Sequence, residues 1–170
     1  MFTFIIGGSA SGKSEYAEQQ VLLLPGQRVY LATLEPWDDE CRKRIRKHQN
    51  ARAQRGFMTL ECYHALDRLT VPDHSNVLLD GLGNLVAGEL YRPDGCGTAA
   101  ILAGVEHLLG QCEHLTIVAD EVFSGGKDYE GDTLHYLWEM GALHCDLARR
   151  ADRVVEVVCG VPNVLKEAET

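Results

Sequence analysis

No stretch of this chain is apolar for long enough to cross a bilayer, and its N-terminus lacks the basic and then apolar layout of a secretion signal. A membrane span is therefore not expected. Its six cysteines (Cys41, Cys62, Cys96, Cys112, Cys145 and Cys159) include no C-x-x-C pair. Neither a disulfide framework nor a zinc site is written into that spacing, and free thiols point to a reducing, cytoplasmic setting. Positive charge is also scarce. With 16 Lys and Arg against 25 Asp and Glu, the net charge is -9, which argues against nucleic-acid binding by the surface as a whole. There is no repeat, linker or break in composition, so residues 1–170 are expected to form a single domain with a proper core.

The feature around which the rest is arranged lies close to the N-terminus. Gly7-Gly8-Ser9-Ala10-Ser11-Gly12-Lys13-Ser14 fits G-x-x-x-x-G-K-[ST], the phosphate-loop pattern. An apolar, β-prone run (Phe2 to Ile6) precedes it, and a helix-compatible run (Ser14 to Leu24) follows. That context is the one the chemistry needs. Glycines let the backbone wrap round an oxyanion with its N–H groups pointing inward, and the helix N-terminus adds partial positive charge. Lys13 is placed to reach the outer phosphates, and the Ser14 hydroxyl to sit on Mg²⁺. A glycine-rich turn with no ligand is the bland alternative, and the flanking strand and helix make it the weaker one. A bound nucleoside triphosphate is expected.

Further along, apolar strands and helices alternate. Strands are expected at 28–33, 77–80, 115–119 and 153–159, with a short extended piece at 57–61. Helices are expected at 15–24, 38–55, 81–90, 98–111 and 134–151, with a brief one at 63–69, and a polar loop at 124–132. Most strands are apolar on both faces, the mark of a parallel sheet covered on both sides. The fold class is thus α/β: a three-layer, mostly parallel P-loop domain.

Two places could carry chemistry besides the loop. Asp80 closes the strand Val77-Leu78-Leu79-Asp80, at the sheet end where open α/β folds bind ligands. An acid there holds Mg²⁺ together with Ser14 in P-loop proteins, and Asp120-Glu121 is a weaker rival for that task. The second place is the helix at 38–55. Residues 42 to 55 hold seven of the 16 Lys and Arg, which fits either a solvated face or a basic one that meets an acidic partner. Cys41, Ile45 and His48 follow i, i+4, i+7 spacing, so His48 shares the stripe that faces the protein body. Arg44 and Arg52 stand four residues either side of it. Arginines lower a histidine's pKa, keeping the ring neutral for attack on phosphorus, and activity would then fall at acid pH. On spacing alone a merely packed histidine remains open.

The phosphate loop with Glu15-Tyr16-Ala17-Glu18, the strand Tyr30-Leu31-Ala32-Thr33, and the run Asp38-Asp39-Glu40-x-x-x-Arg44-Ile45-x-x-His48-x-x-x-Arg52 resemble one family. Leu78-Leu79-Asp80 and the closing Ala151-Asp152-x-Val154 with Val157-Val158-x-Gly160 fit it too. It is the bifunctional adenosylcobinamide kinase / adenosylcobinamide-phosphate guanylyltransferase family, and the likeness runs in order along nearly the whole chain. The resemblance implies a RecA-like P-loop fold, assembled as a homotrimer. It also implies two reactions of cobalamin synthesis. A γ-phosphate from ATP or GTP first goes to the hydroxyl of the corrinoid adenosylcobinamide. GMP from GTP then passes through a GMP-histidine intermediate to give adenosylcobinamide-GDP. Carried over by motif, His48 is the nucleophile and Gly7 to Ser14 hold the phosphates. Ala32, Thr33, Leu34, Gln49, Asn50, Ala51 and Arg52 line the nucleotide, with Glu61 and Asp80 completing its site.

Departures gather late in the chain. Where the family shows N-E-V-G and a G-I-V-P-type loop, this chain has Asp120-Glu121-Val122-Phe123 and Ser124 to Tyr129. Its G-R-x-N-Q element is represented by Gly141-Ala142-Leu143-His144-Cys145. His135 and His144 in that region read as packing residues. A plain P-loop small-molecule kinase, and a nucleotide-gated module whose basic helix meets a polyanion, are the competing expectations.

Overall fold

The computed structural model describes residues 1–168 except Trp37, Gly126 and Lys127, and describes Cys41, Arg44, Lys47 and His48 by backbone only. Seven strands form one sheet: β1 (Phe2–Gly7), β2 (Arg28–Ala32), β3 (Phe57–Glu61), β4 (Asn76–Asp80), β5 (His114–Asp120), β6 (Arg153–Val158) and β7 (Val161–Glu167). Their order is β3-β2-β4-β5-β1-β6-β7. Every neighbouring pair is parallel except β6 with β7. The helices are α1 (Lys13–Leu22), α2 (Asp39–Gln54), α3 (Leu82–Tyr91), α4 (Thr98–Leu109) and α5 (Gly131–Arg150).

The inner strands are continuously apolar because both faces of the sheet are covered. Phe4, Leu31, Leu79 and Ile117 enter one core with Leu82 and Leu85 of α3, Ile101 and Val105 of α4, and Met140 and Leu147 of α5. Their chain neighbours Ile5, Tyr30, Leu78 and Val118 enter the other, against Ala17 and Val21 of α1. Consecutive residues on a strand point to opposite faces, so each strand feeds both cores. The expected three-layer α/β architecture is present. Between the phosphate-loop strand β1 and the strand that ends in Asp80 stands one further strand, β5.

Two elements differ from expectation in kind, and helix bounds shift by up to three residues, α5 starting at Gly131 inside the expected loop 124–132. The helix sought at 63–69 is a single 3-10 turn, Leu66–Arg68, entered through Ala65 with a left-handed φ of 53°. Expected helix 81–90 is found as Leu82–Tyr91, with Gly81 as its cap at φ 98°. Strand β7 was not expected at all. It follows β6 through Cys159 and Gly160, both at positive φ (51° and 78°), the conformation of a two-residue hairpin turn. Pro162 argues against a strand, but β7 is an exposed edge, where a missing N–H costs nothing. Among the described residues no helix is long and apolar enough to cross a membrane.

Parallel pairing brings the carboxyl ends of β1, β2, β4 and β5 to one rim. Register sets Gly7 beside Asp120 and Ala32 beside Asp80. At the opposite rim Thr3 pairs with Arg153, and Arg153 with Glu167.

Candidate active site

The phosphate loop leaves β1 at Gly7 and enters α1 at Lys13. Ala10 at φ 56° and Gly12 at φ 89° turn the backbone through left-handed conformations, which an alanine adopts only when its surroundings hold it there. Ser11 N–H donates to Gly8 O at 3.2 Å, and Tyr16 N–H to Gly12 O at 3.0 Å. The β6–β7 hairpin props the loop from outside: Gly160 N–H donates to Ser11 O at 2.8 Å. The Ser11 hydroxyl is buried with no partner among the described residues, a free donor in the cradle. Lys13, 10% exposed, donates to Gly8 O at 3.1 Å and pairs with Asp120 Oδ1 at 2.6 Å.

Asp80 is the hub beside the loop. Its Oδ1 accepts from the Ser14 hydroxyl at 3.2 Å, and its Oδ2 from the Tyr30 hydroxyl at 3.4 Å. Arg52 Nη2 lies 3.7 Å from the same Oδ2. Burial pushes the Asp80 carboxyl above its ordinary range, while Arg52, Ser14, Lys13 and Tyr30 pull it back. The Tyr30 phenol is raised by burial and by the Asp80 charge.

Arg52 comes from the basic helix α2. Its guanidinium lies 3.6 Å from the centroid of the Tyr30 ring, and its Nε donates to Glu18 Oε1 at 2.8 Å. Arg55 holds the other oxygen of Glu18 at 2.6 Å. Arg52 is thus fixed by a carboxylate and an aromatic face. Gln49 reaches Glu61 at 3.3 Å, and Tyr63 donates to the same carboxylate at 2.7 Å. Burial and that carboxylate push Tyr63 up to about 12.

Around these groups is a cavity of about 250 Å³. Of the residues singled out from sequence, Ala32, Thr33, Leu34, Gln49, Arg52 and Asp80 line it. Glu61 stands behind it, joined through Gln49. Asn50 and Ala51 are exposed and outside its lining. The side chain of His48 lies outside the described residues, as does that of Arg44. The backbone of residue 48 stands one helical turn from Ile45 and from Arg52, both of which line the cavity. Asp120 was considered as a rival to Asp80 for the Ser14 side of the site, but its carboxylate is on Lys13 instead.

Sequence reasoning missed Tyr30, Glu18 and Asn84. Tyr30 carried a usable signal: it shares the strand face of Ala32, two residues on. Glu18 carried only a weak one, falling four residues after Ser14 on α1. His144 packs between the rings of Phe4 and Phe123, each 5.4 Å away, and His135 is exposed. Both therefore sit as packing or surface residues.

A family model described as cobinamide kinase / cobinamide phosphate guanyltransferase matches residues 3–165. The chain belongs to this family. Among curated proteins it is 29% identical to the bifunctional adenosylcobalamin biosynthesis protein CobU of Salmonella typhimurium, over 95% of this chain and 97% of that protein. It is 31% identical to the corresponding protein CobP of Pseudomonas aeruginosa, over 98% of both chains. The crystal structure of the RadB recombinase aligns with a TM-score of 0.49 at 16% identity, covering 91% of this chain and 73% of that one. As a kinase and guanyltransferase family member, the protein is an enzyme that acts with nucleotides.

Proposed function

We propose that the protein phosphorylates adenosylcobinamide and then transfers GMP from GTP to the product, through a GMP-histidine intermediate on His48. One observation carries this reading beyond the family membership. Ile45, Gln49 and Arg52 of α2 form one wall of the cavity beside the phosphate loop, which supports a role for this helix at the nucleotide.

In the first reaction the corrinoid hydroxyl bonds to the γ-phosphorus of ATP or GTP, and the bond from that phosphorus to the bridging oxygen breaks. The proton is released and the nucleoside diphosphate leaves with the electron pair. Lys13 and the inward N–H groups of the loop hold the phosphates in line. In the second, a neutral His48 nitrogen bonds to the α-phosphorus of GTP and pyrophosphate leaves. The phosphate of the phosphorylated corrinoid then displaces the histidine, giving the GDP-linked product. Glu18 and Tyr30 keep Arg52 in place against the cavity throughout.

The Ser14 hydroxyl and Asp80 carboxylate, 3.2 Å apart, fit Mg²⁺. Both are hard oxygen donors, and one or two protein oxygens plus phosphates is the set this ion takes. Among the described residues no cluster of three or more His, Cys, Asp or Glu offers an all-protein cage, in keeping with an ion that arrives with its nucleotide. When bound it neutralises phosphate charge.

The reading extends to a cytoplasmic, single-domain subunit that assembles as a homotrimer. Leu134, Leu137 and Trp138 of α5, with Phe123 from the loop before it, leave an apolar surface, with Trp138 72% exposed, which suits burial by another copy.

Incubation with GTP labelled at the α-phosphate tests the chemistry. Acid-labile, alkali-stable label should appear on the protein and be absent from His48→Ala. A protein that phosphorylates cobinamide but never takes the label is a plain kinase, and the transfer reading fails.

A further inference from the structure

Four carboxylates surround the phosphate loop and its cavity wall, and three of them are committed elsewhere. Asp80 takes Ser14, Tyr30 and Arg52. Glu18 is held by Arg52 and Arg55, and Glu61 by Gln49 and Tyr63. Asp120 alone pairs with the lysine that the motif assigns to the outer phosphates, at 2.6 Å. It sits at the end of β5, in register with Gly7 where the loop begins. Its side chain is 47% exposed, and among the described residues Lys13 is its sole ion-pair partner. Next to it, Glu121 is turned away, accepting from the backbone N–H groups of Phe123 and Ser124.

We propose that Asp120 is an internal anion that competes with the outer phosphates for Lys13 and thereby sets how tightly polyphosphate nucleotides are held. The inference rests on the loop being the triphosphate site proposed above. The Lys13 ammonium has three N–H donors, of which Gly8 O and Asp120 already take two, so an arriving γ- or β-phosphate competes with the carboxylate for its charge. After phosphoryl transfer the carboxylate reclaims the lysine, which loosens the nucleoside diphosphate and speeds its release. An asparagine of the same shape bears no charge to hold Lys13 or to repel a phosphate.

Binding of GTP, GDP and GMP by wild type and Asp120→Asn, measured by calorimetry without corrinoid, decides the matter. Losing one half-exposed ion pair and one charge repulsion is worth about tenfold in affinity. GTP and GDP should therefore bind Asp120→Asn about tenfold more tightly, while GMP, which has no outer phosphate, changes by less than about twofold. GTP and GDP affinities that are unchanged or weaker overturn the inference, and so does equal tightening of GMP. Should Asp120→Asn fail to fold, Asp120→Ser makes the same comparison. A wild-type protein that binds none of the three nucleotides would refute the functional reading itself, a result distinct from a wild type that binds GTP and a variant that binds it no better.

Discussion

At the scale of single residues, the site depends on charges held in low-dielectric surroundings. Glu18 neutralises Arg52 where both side chains are at most 15% exposed. Glu18→Ala leaves that guanidinium, among the described residues, with only the 3.7 Å contact to Asp80 as an ion pair, and removing one partner of a buried pair costs about 3 kcal/mol. Urea denaturation should show a loss of that size, accompanied by weaker GTP binding as Arg52 leaves the cavity wall. His144 makes a pH-dependent case. Burial lowers it to about 4 from 6.5, and among the described residues its Nε2 has no partner to share a proton with. The unfolded chain takes up that proton below pH 6.5 while the folded one refuses it, so stability is lost as pH falls from about 6.5 towards 4. Over the whole window the loss is roughly 3 kcal/mol. His144→Gln should remove this component, seen as a difference between the two pH–stability curves. Individual site residues were legible where a motif fixed their spacing, as with Lys13, Ser14 and Asp80. Glu18 was not, because what selects it is a partner on another element: Arg52 lies 34 residues from Glu18 along the chain.

Elements were legible where periodicity and length agreed. The five helices and the inner strands follow from apolar runs that both cores demand. The miss at residues 63–69 has a local cause. Gly88 of α3 packs against that segment so closely that a Cβ would overlap the Tyr63 carbonyl. The chain there is shaped by its fit to a helix face and not by its own propensity. Two glycines of α3 are explained by contact: Gly83 faces the Tyr136 hydroxyl as Gly88 faces Tyr63. Gly88→Ala gains helix propensity yet should destabilise the protein, by about 1–3 kcal/mol from overpacking. A lower midpoint in thermal denaturation checks this, and a raised one would mean that the segment moves aside without cost. Strand β7 was missed for a different reason: it carries no buried residue, so no hydrophobic pattern announces it.

At the scale of the whole molecule, the apolar patch on α5 stands apart from both cores. Trp138→Glu should leave the fold and the nucleotide cavity intact while shifting sedimentation from trimer to monomer. An unchanged sedimentation coefficient would place the assembly surface elsewhere, and a wild type already monomeric would remove the trimer from the reading. The sheet has one further consequence. Its first strand begins, and its last strand ends, on the rim opposite the phosphate loop, where Thr3, Arg153 and Glu167 lie abreast in register. Fusion partners or an affinity handle attached at either extremity would project away from the rim that carries the phosphate loop. A short linker could join the two extremities in a circular permutant, with new ends opened at the exposed Pro93-Asp94 turn and the nucleotide cradle left whole.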